Sequence, residues 1–152
     1  MPKMAYRALF PPGTFVDVDI SNIAEVFSKE VDTPQRRRLS SQLRLFIAYL
    51  QNLGLTTFEM WIDGSFTTAK PNPTDVDVVC FISRSQLGTI SAKSLDELQY
   101  IASDEGRPYV REKWNIDYYH CPFDSLEDRN SWREKFSRDE YGEPKGIGRI
   151  KL

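Results

Sequence analysis

The residue types best suited to chemistry are Gly64-Ser65 and, nine residues later, Asp75-Val76-Asp77, followed by an isolated strand carboxylate at Asp117. Side chains two apart on a strand point to the same face, about 6.6 Å from each other along it. Asp75 and Asp77 are therefore expected to project together, at a spacing that lets two carboxylates share or bridge divalent cations. Mg2+ (or Mn2+) suits such a pair, because Mg2+ takes a few carboxylates and completes its shell with waters and substrate phosphate oxygens. Asp117 on a neighbouring strand would complete a three-carboxylate site. Two metals about 3.5–4 Å apart would then stabilise the attacking and leaving oxygens of an in-line phosphoryl displacement. Gly64, at the end of a strand, lets the backbone turn sharply and approach a ligand. The N–H groups of the turn, with the Ser65 hydroxyl, are donors for a phosphate. Lys70 in the intervening loop would add positive charge near the same phosphates.

The elements that must hold these residues are legible around them. Thr33-Pro34 starts a helix, with Pro in the first turn where its missing N–H costs nothing. Leu39, Leu43, Phe46, Ile47, Leu50 and Leu53 make one apolar stripe at three- and four-residue spacing, and Gly54 stops it. Thr57 to Ile62 is a β-rich run ending at Asp63-Gly64-Ser65. A polar loop with Pro71 and Pro73 leads to Asp75–Ile82, a strand with an alternating start and an apolar end, expected at the centre of a sheet. Trp114–Tyr119 is a third strand. Ser21-Asn22 offers caps to a short helix bearing Ile23, Val26 and Phe27. Ser94–Ser103 is expected as a helix with Leu95, Leu98 and Ile101 inward, and Asp124 or Ser125 caps a last helix through Trp132 and Phe136. Gly146–Leu152 closes as a loose tail or an edge strand. The pattern specifies one α/β (α+β) domain over residues 1–152: a small mixed β-sheet flanked by helices, with its core over about 35–120 and a C-terminal helix and tail over 124–152.

Other conspicuous residues have plainer readings. Asp63, just before the glycine, is expected to cap the turn rather than bind a ligand. Gln35-Arg36-Arg37-Arg38 reads first as a solvated first turn, with a phosphate or RNA contact as the functional alternative. Tyr118 and Tyr119 beside Asp117 are packing residues on a strand unless one stacks on a base. Trp61, Trp132 and Phe136 are expected in the core. The sole histidine, His120, argues against a His-built metal site or a Ser-His-Asp triad, and it is given no role.

Composition sets the frame. The 152 residues fit a single domain, with 40% hydrophobic and 28% charged residues, as in ordinary globular proteins. Twenty Lys plus Arg against 22 Asp plus Glu leave a net charge of −2, which excludes a polybasic protein that holds nucleic acid by bulk charge, though not a local basic groove. No apolar run approaches the eighteen or so residues needed to cross a bilayer, and no apolar signal core stands at the N-terminus. Cys80 and Cys121 lie far apart in sequence without a CxxC, the usage of reduced thiols in a cytoplasmic protein.

Gly64, Ser65, Asp75, Asp77 and Asp117, in the order apolar-striped helix, strand, Gly-Ser turn, loop, Asp-x-Asp strand, later Asp strand, resemble the nucleotidyltransferase superfamily typified by DNA polymerase beta. The resemblance covers roughly Gln35 to Tyr119. It implies Mg2+ (or Mn2+) held by Asp75, Asp77 and Asp117, and a nucleoside triphosphate cradled by Gly64-Ser65. It implies transfer of a nucleoside monophosphate to a hydroxyl on protein or RNA, with release of pyrophosphate. Gly142-Glu143-Pro144-Lys145-Gly146-Ile147, with Trp132 before it, also resembles a bacterial family of small uncharacterised proteins in this superfamily. The chain is similar to the minimal nucleotidyltransferases, including antitoxins paired with HEPN toxins. Its spacer is one residue shorter than theirs, with Pro71 and Pro73 where the antitoxin loop is Arg-rich. Thirty-five residues follow Asp117, too few for the helical domain that commonly holds the base or acceptor in the superfamily. A partner protein or a second copy is therefore expected to shape the acceptor site. The alternative is a catalytically inactive binding module on the same fold, an antitoxin or regulatory subunit in a phage-defence setting.

Overall fold

The computed structural model describes residues 6–152. Its centre is a five-stranded mixed sheet, built from β1 (Phe15–Asp17), β2 (Glu59–Asp63), β3 (Val76–Ile82), β4 (Ile116–Pro122) and β5 (Ile147–Lys151) in the order β1-β5-β2-β3-β4. Helices α1 (Ile23–Ser28), α2 (Pro34–Asn52), α3 (Arg84–Leu87), α4 (Ala92–Ile101), α5 (Arg107–Trp114) and α6 (Leu126–Phe136) complete it. The fold class is the expected mixed α/β one.

Helix α2 forms where its apolar stripe and its cap agree. The Thr33 side chain accepts from the Arg36 N–H at 3.1 Å, Pro34 opens the first turn, and Leu39, Leu43, Phe46, Ile47 and Leu50 are buried. That stripe packs on Met60 and Ile62 of β2, on Val76, Val78, Cys80 and Ile82 of β3, and on Ile116 and Tyr118 of β4. Each fully buried apolar side chain of this kind contributes about 1.5–3 kcal/mol of transfer free energy, and truncating one to Ala costs about 2–5 kcal/mol. The other face of the sheet has a smaller core of Trp61, Val79, Phe81, Cys121 and Ile147, covered by Trp132 and Phe136 of α6. Trp61 and Phe136 are buried as expected, and Trp132 is half-buried.

Register places the polar strand residues. β2 runs antiparallel to β3 with Asp63 opposite Asp77, and β3 runs parallel to β4 with Asp77 opposite Asp117. Opposed residues share a face, so the three carboxylates form one row across three strands on the α6 side of the sheet.

Several elements differ from the sequence expectation. The C-terminal segment is neither loose nor an edge: β5 lies between β1, parallel to it, and β2, antiparallel to it. Trp114 closes α5 rather than opening a strand, and Asn115 caps that helix at φ 59° before β4 begins at Ile116. Strand β1 and helix α5 carry too few periodic residues to announce themselves. Cys80 and Cys121, distant in sequence, sit on adjacent strands but face opposite sides of the sheet, and both are free thiols. Among the described residues, no helix is long and apolar enough to cross a membrane.

Candidate functional site

The chain turns off the sheet at the end of β2. Gly64 takes φ +82°, a left-handed conformation that favours glycine, and opens a single 3-10 turn over Gly64–Thr67. A Cβ at Gly64 would meet the Asp77 carboxylate oxygen at 2.7 Å. The glycine is thus needed twice, for the turn and for the closeness of the turn to Asp77. Thr68 closes the turn, its N–H and hydroxyl both donating to the Ser65 carbonyl, at 3.1 and 2.7 Å.

Gly64, Ser65, Lys70, Asp75 and Asp77 all line one cleft of about 460 Å³. Asp75 stands one residue before β3 rather than within it, and its place is set from two sides. The Val76 N–H donates to the Asn115 carbonyl at 2.9 Å, and the Asn115 amide reaches the Thr74 carbonyl at 3.4 Å. The left-handed Asn115 thereby ties the start of β3 to the end of α5.

Electrostatically the cleft is crowded with carboxylates. Burial, then the nearby Asp75 and Asp117 charges, push the Asp77 carboxyl up to about 6. Asp75 is raised for similar reasons, burial first and then Asp117, against the pull of Arg111 and Lys70. Like charges held this close disfavour one another's ionisation, and a bound cation relieves them.

Asp117 does not line the cleft. Its carboxylate accepts from Arg111 Nη2 at 3.2 Å and from the Tyr119 hydroxyl at 3.3 Å, with Arg107 Nε 3.9 Å away. Arg107 also lies over the Tyr119 ring and donates to its hydroxyl at 3.1 Å. Among the described residues, no group of three or more His, Cys, Asp or Glu side chains is gathered closely enough to hold a metal ion. The expected three-carboxylate cluster is therefore a pair in the cleft, with Asp117 engaged by α5 beside it. A pair still fits Mg2+, which needs only one or two protein carboxylates when waters and substrate phosphates fill its shell.

Three functional details escape sequence reasoning. Asp63, expected to cap the turn, is also held by a lysine from far along the chain: Lys145 Nζ, itself buried, donates to Asp63 and to the Gly64 carbonyl and Thr67 hydroxyl, the latter two at 3.1 Å. Burial pushes the Asp63 carboxyl up to about 7, with Lys145 pulling against it. The only signal was Lys145 within Gly142–Ile147, and nothing in the sequence pairs it with Asp63. Arg36 is neither solvated nor a phosphate contact. It is wholly buried and donates to the carbonyls of Phe27 at 2.8 Å, Lys70 at 2.7 Å and Phe66, over whose ring it lies. It thus anchors the loop that carries Lys70. Arg37, by contrast, pairs with Asp32 at the surface. Finally, the end of α6 and the residues after it (Lys135, Arg138 and Tyr141 among them) form one wall of the cleft.

A family described as "Family of unknown function (DUF6932)" matches residues 2–151. No curated protein and no solved structure matches the chain.

Proposed function

The chain belongs to the family of unknown function DUF6932, a membership that specifies no chemistry, and we propose from the site itself that it is a metal-dependent nucleotidyltransferase. It would transfer a nucleoside monophosphate from a nucleoside triphosphate to a hydroxyl on protein or RNA. The observation that carries this reading is the convergence of Gly64, Ser65, Lys70, Asp75 and Asp77 on one cleft, with Asp117 one register step beyond Asp77. The resemblance to the DNA polymerase beta-like superfamily assigns the same residues.

In this reading Asp75 and Asp77 hold Mg2+ (or Mn2+), which supplies charge neutralisation for the phosphates and the leaving pyrophosphate. The Gly64–Thr67 turn and the Ser65 hydroxyl receive the triphosphate, with Lys70 beside Asp75. A bond forms between the acceptor oxygen and the α-phosphorus as the bond to pyrophosphate breaks. The acceptor's proton passes to Asp117, which exchanges its Arg111 hydrogen bond for the hydroxyl. The acceptor is presented by a partner protein or a second copy of the chain, and the free buried thiols suit a cytoplasmic setting such as a toxin–antitoxin or phage-defence pair.

Incubating the protein with Mg2+ or Mn2+ and each α-labelled nucleoside triphosphate, alone and with its genomic neighbour, tests this. Labelling of an acceptor is expected, and Asp77→Ala is expected to abolish it. Labelling unchanged in Asp77→Ala overturns the mechanism. One observation favours a second reading, a catalytically inactive binding module: Asp117 is already engaged by Arg111 and Tyr119. That reading expects a tight partner complex that survives Asp75→Asn and Asp77→Asn, and no labelling.

A further inference from the structure

One wall of the cleft is a small, well-tied loop with an exposed aromatic residue at its tip. After α6, Arg138 and Pro144 form an isolated antiparallel bridge that closes the loop. Within it the Asp139 carboxylate accepts from the N–H groups of Tyr141 at 2.8 Å and Glu143 at 2.9 Å, and Arg138 donates to the Gly142 carbonyl at 2.9 Å. Lys145 roots the loop in the Gly-Ser turn through Asp63, Gly64 and Thr67. The loop is thus built to hold its tip in place. At that tip Tyr141 is 43% exposed, and Tyr6, from the opposite end of the described chain, is 49% exposed on the same cleft. Solvent-exposed rings beside a phosphate-sized cradle have the character of a stacking platform, because every nucleobase offers a π-face.

We propose that Tyr141 and Tyr6 bind the base of the nucleoside triphosphate, while Lys135 and Arg138 guide its phosphates toward Asp75 and Asp77. The inference rests on the nucleotidyltransferase reading and deepens it by assigning base recognition to this chain rather than to an attached domain. Positive charges on both sides of the cleft lie near the carboxylate pair. Lys135 lies close enough to Asp77 to draw its carboxyl down, and Lys70 does the same for Asp75. Glu140 stands beside Tyr141, where a carboxylate suits sugar hydroxyls and repels phosphate. A cleft of about 460 Å³ falls within the range of small-molecule sites.

The test is equilibrium binding to the full chain in Mg2+, with α,β-methylene nucleoside triphosphates as one probe and inorganic tripolyphosphate as the other. Tyr141→Ala is expected to weaken the nucleoside triphosphates about 5- to 100-fold and leave tripolyphosphate unchanged, with Tyr141→Phe near wild type. Lys135→Ala is expected to weaken both probes alike. Tyr141→Ala that changes neither probe, or both equally, overturns the base site while leaving the phosphate site standing. Wild-type protein that binds neither probe overturns the nucleotidyltransferase reading together with it. Tyr141 lies outside both cores, so its variants are expected to retain the fold.

Discussion

Gly64 and Asp77 constrain each other sterically. A methyl group at Gly64 would fall 2.7 Å from an Asp77 carboxylate oxygen, and the backbone there is left-handed. Gly64→Ala must therefore either displace Asp77 or unwind the turn. We expect it to cost about 1–2 kcal/mol of stability from backbone strain and to lower nucleotidyl transfer at least 100-fold. Comparing denaturant midpoints with labelling rates separates the two effects. A Gly64→Ala protein with wild-type transfer would show that the turn does not approach the reacting phosphates. Asp77→Asn, by contrast, keeps the shape and removes the charge, so it is expected to lose transfer without losing stability. Comparing the two variants distinguishes a fault of geometry from a fault of charge.

At the scale of elements, the loop that carries Lys70 depends on a residue of α2. Arg36 satisfies the carbonyls of Phe27, Phe66 and Lys70 from a fully buried position, where burial lowers its guanidinium pKa to about 10. It remains charged, and it joins α1, α2 and the loop after the Gly-Ser turn. Arg36→Ala strands three acceptors, and each buried unsatisfied group costs about 1–3 kcal/mol, so a loss of about 3 kcal/mol or more is expected by urea unfolding. Arg36→Lys is expected to restore little, because one ammonium cannot reach three diverging carbonyls. A lysine variant as stable as wild type would mean that charge alone, not the guanidinium fork, holds the loop. The same elements show where sequence reading succeeds. The α2 stripe, β2 and β3 carry strong local periodicity and the Gly-Ser turn is marked by its residue types, so the order of these elements is readable, while the cleft wall contributed by the C-terminal part is not. Arg36 and Lys145 are not, because Phe66 and Lys70 lie 30 and 34 positions from Arg36, Asp63 lies 82 from Lys145, and nothing local marks an arginine as buried. β5 reads as a tail or edge in sequence because a short segment such as Ile147–Lys151 acquires its two neighbours only through topology. Asp117 was legible as a strand carboxylate, but its capture by Arg111 follows from α5, a helix the sequence pattern did not reveal.

For the molecule as a whole, the net charge of −2 conceals how unevenly charge is placed. Asp63, Asp77 and Asp117 come from three separate stretches of sequence, and the sheet register sets them in one row, with Asp75 beside it. Folding itself therefore brings the carboxylates together, and this links stability to pH. The folded-state pKa of Asp77, about 6, is raised above its unfolded value of about 3.9. The folded chain consequently holds a proton that the unfolded chain has released. That contribution to stability is fully present below the unfolded value and is lost as pH rises through about 6. Asp63, raised to about 7, acts in the same direction. In metal-free buffer the midpoint of thermal unfolding is thus expected to be higher near pH 5 than near pH 8. Mg2+ replaces the missing proton, so millimolar Mg2+ should raise the midpoint at pH 8 and do much less at pH 5, where protons compete for Asp77. Asp77→Asn should reduce the pH dependence and remove the Mg2+ response. Calorimetric scans of both proteins at the two pH values, with and without Mg2+, decide the matter. An equal Mg2+ response at both pH values, or one that persists in Asp77→Asn, would place cation binding elsewhere on the molecule.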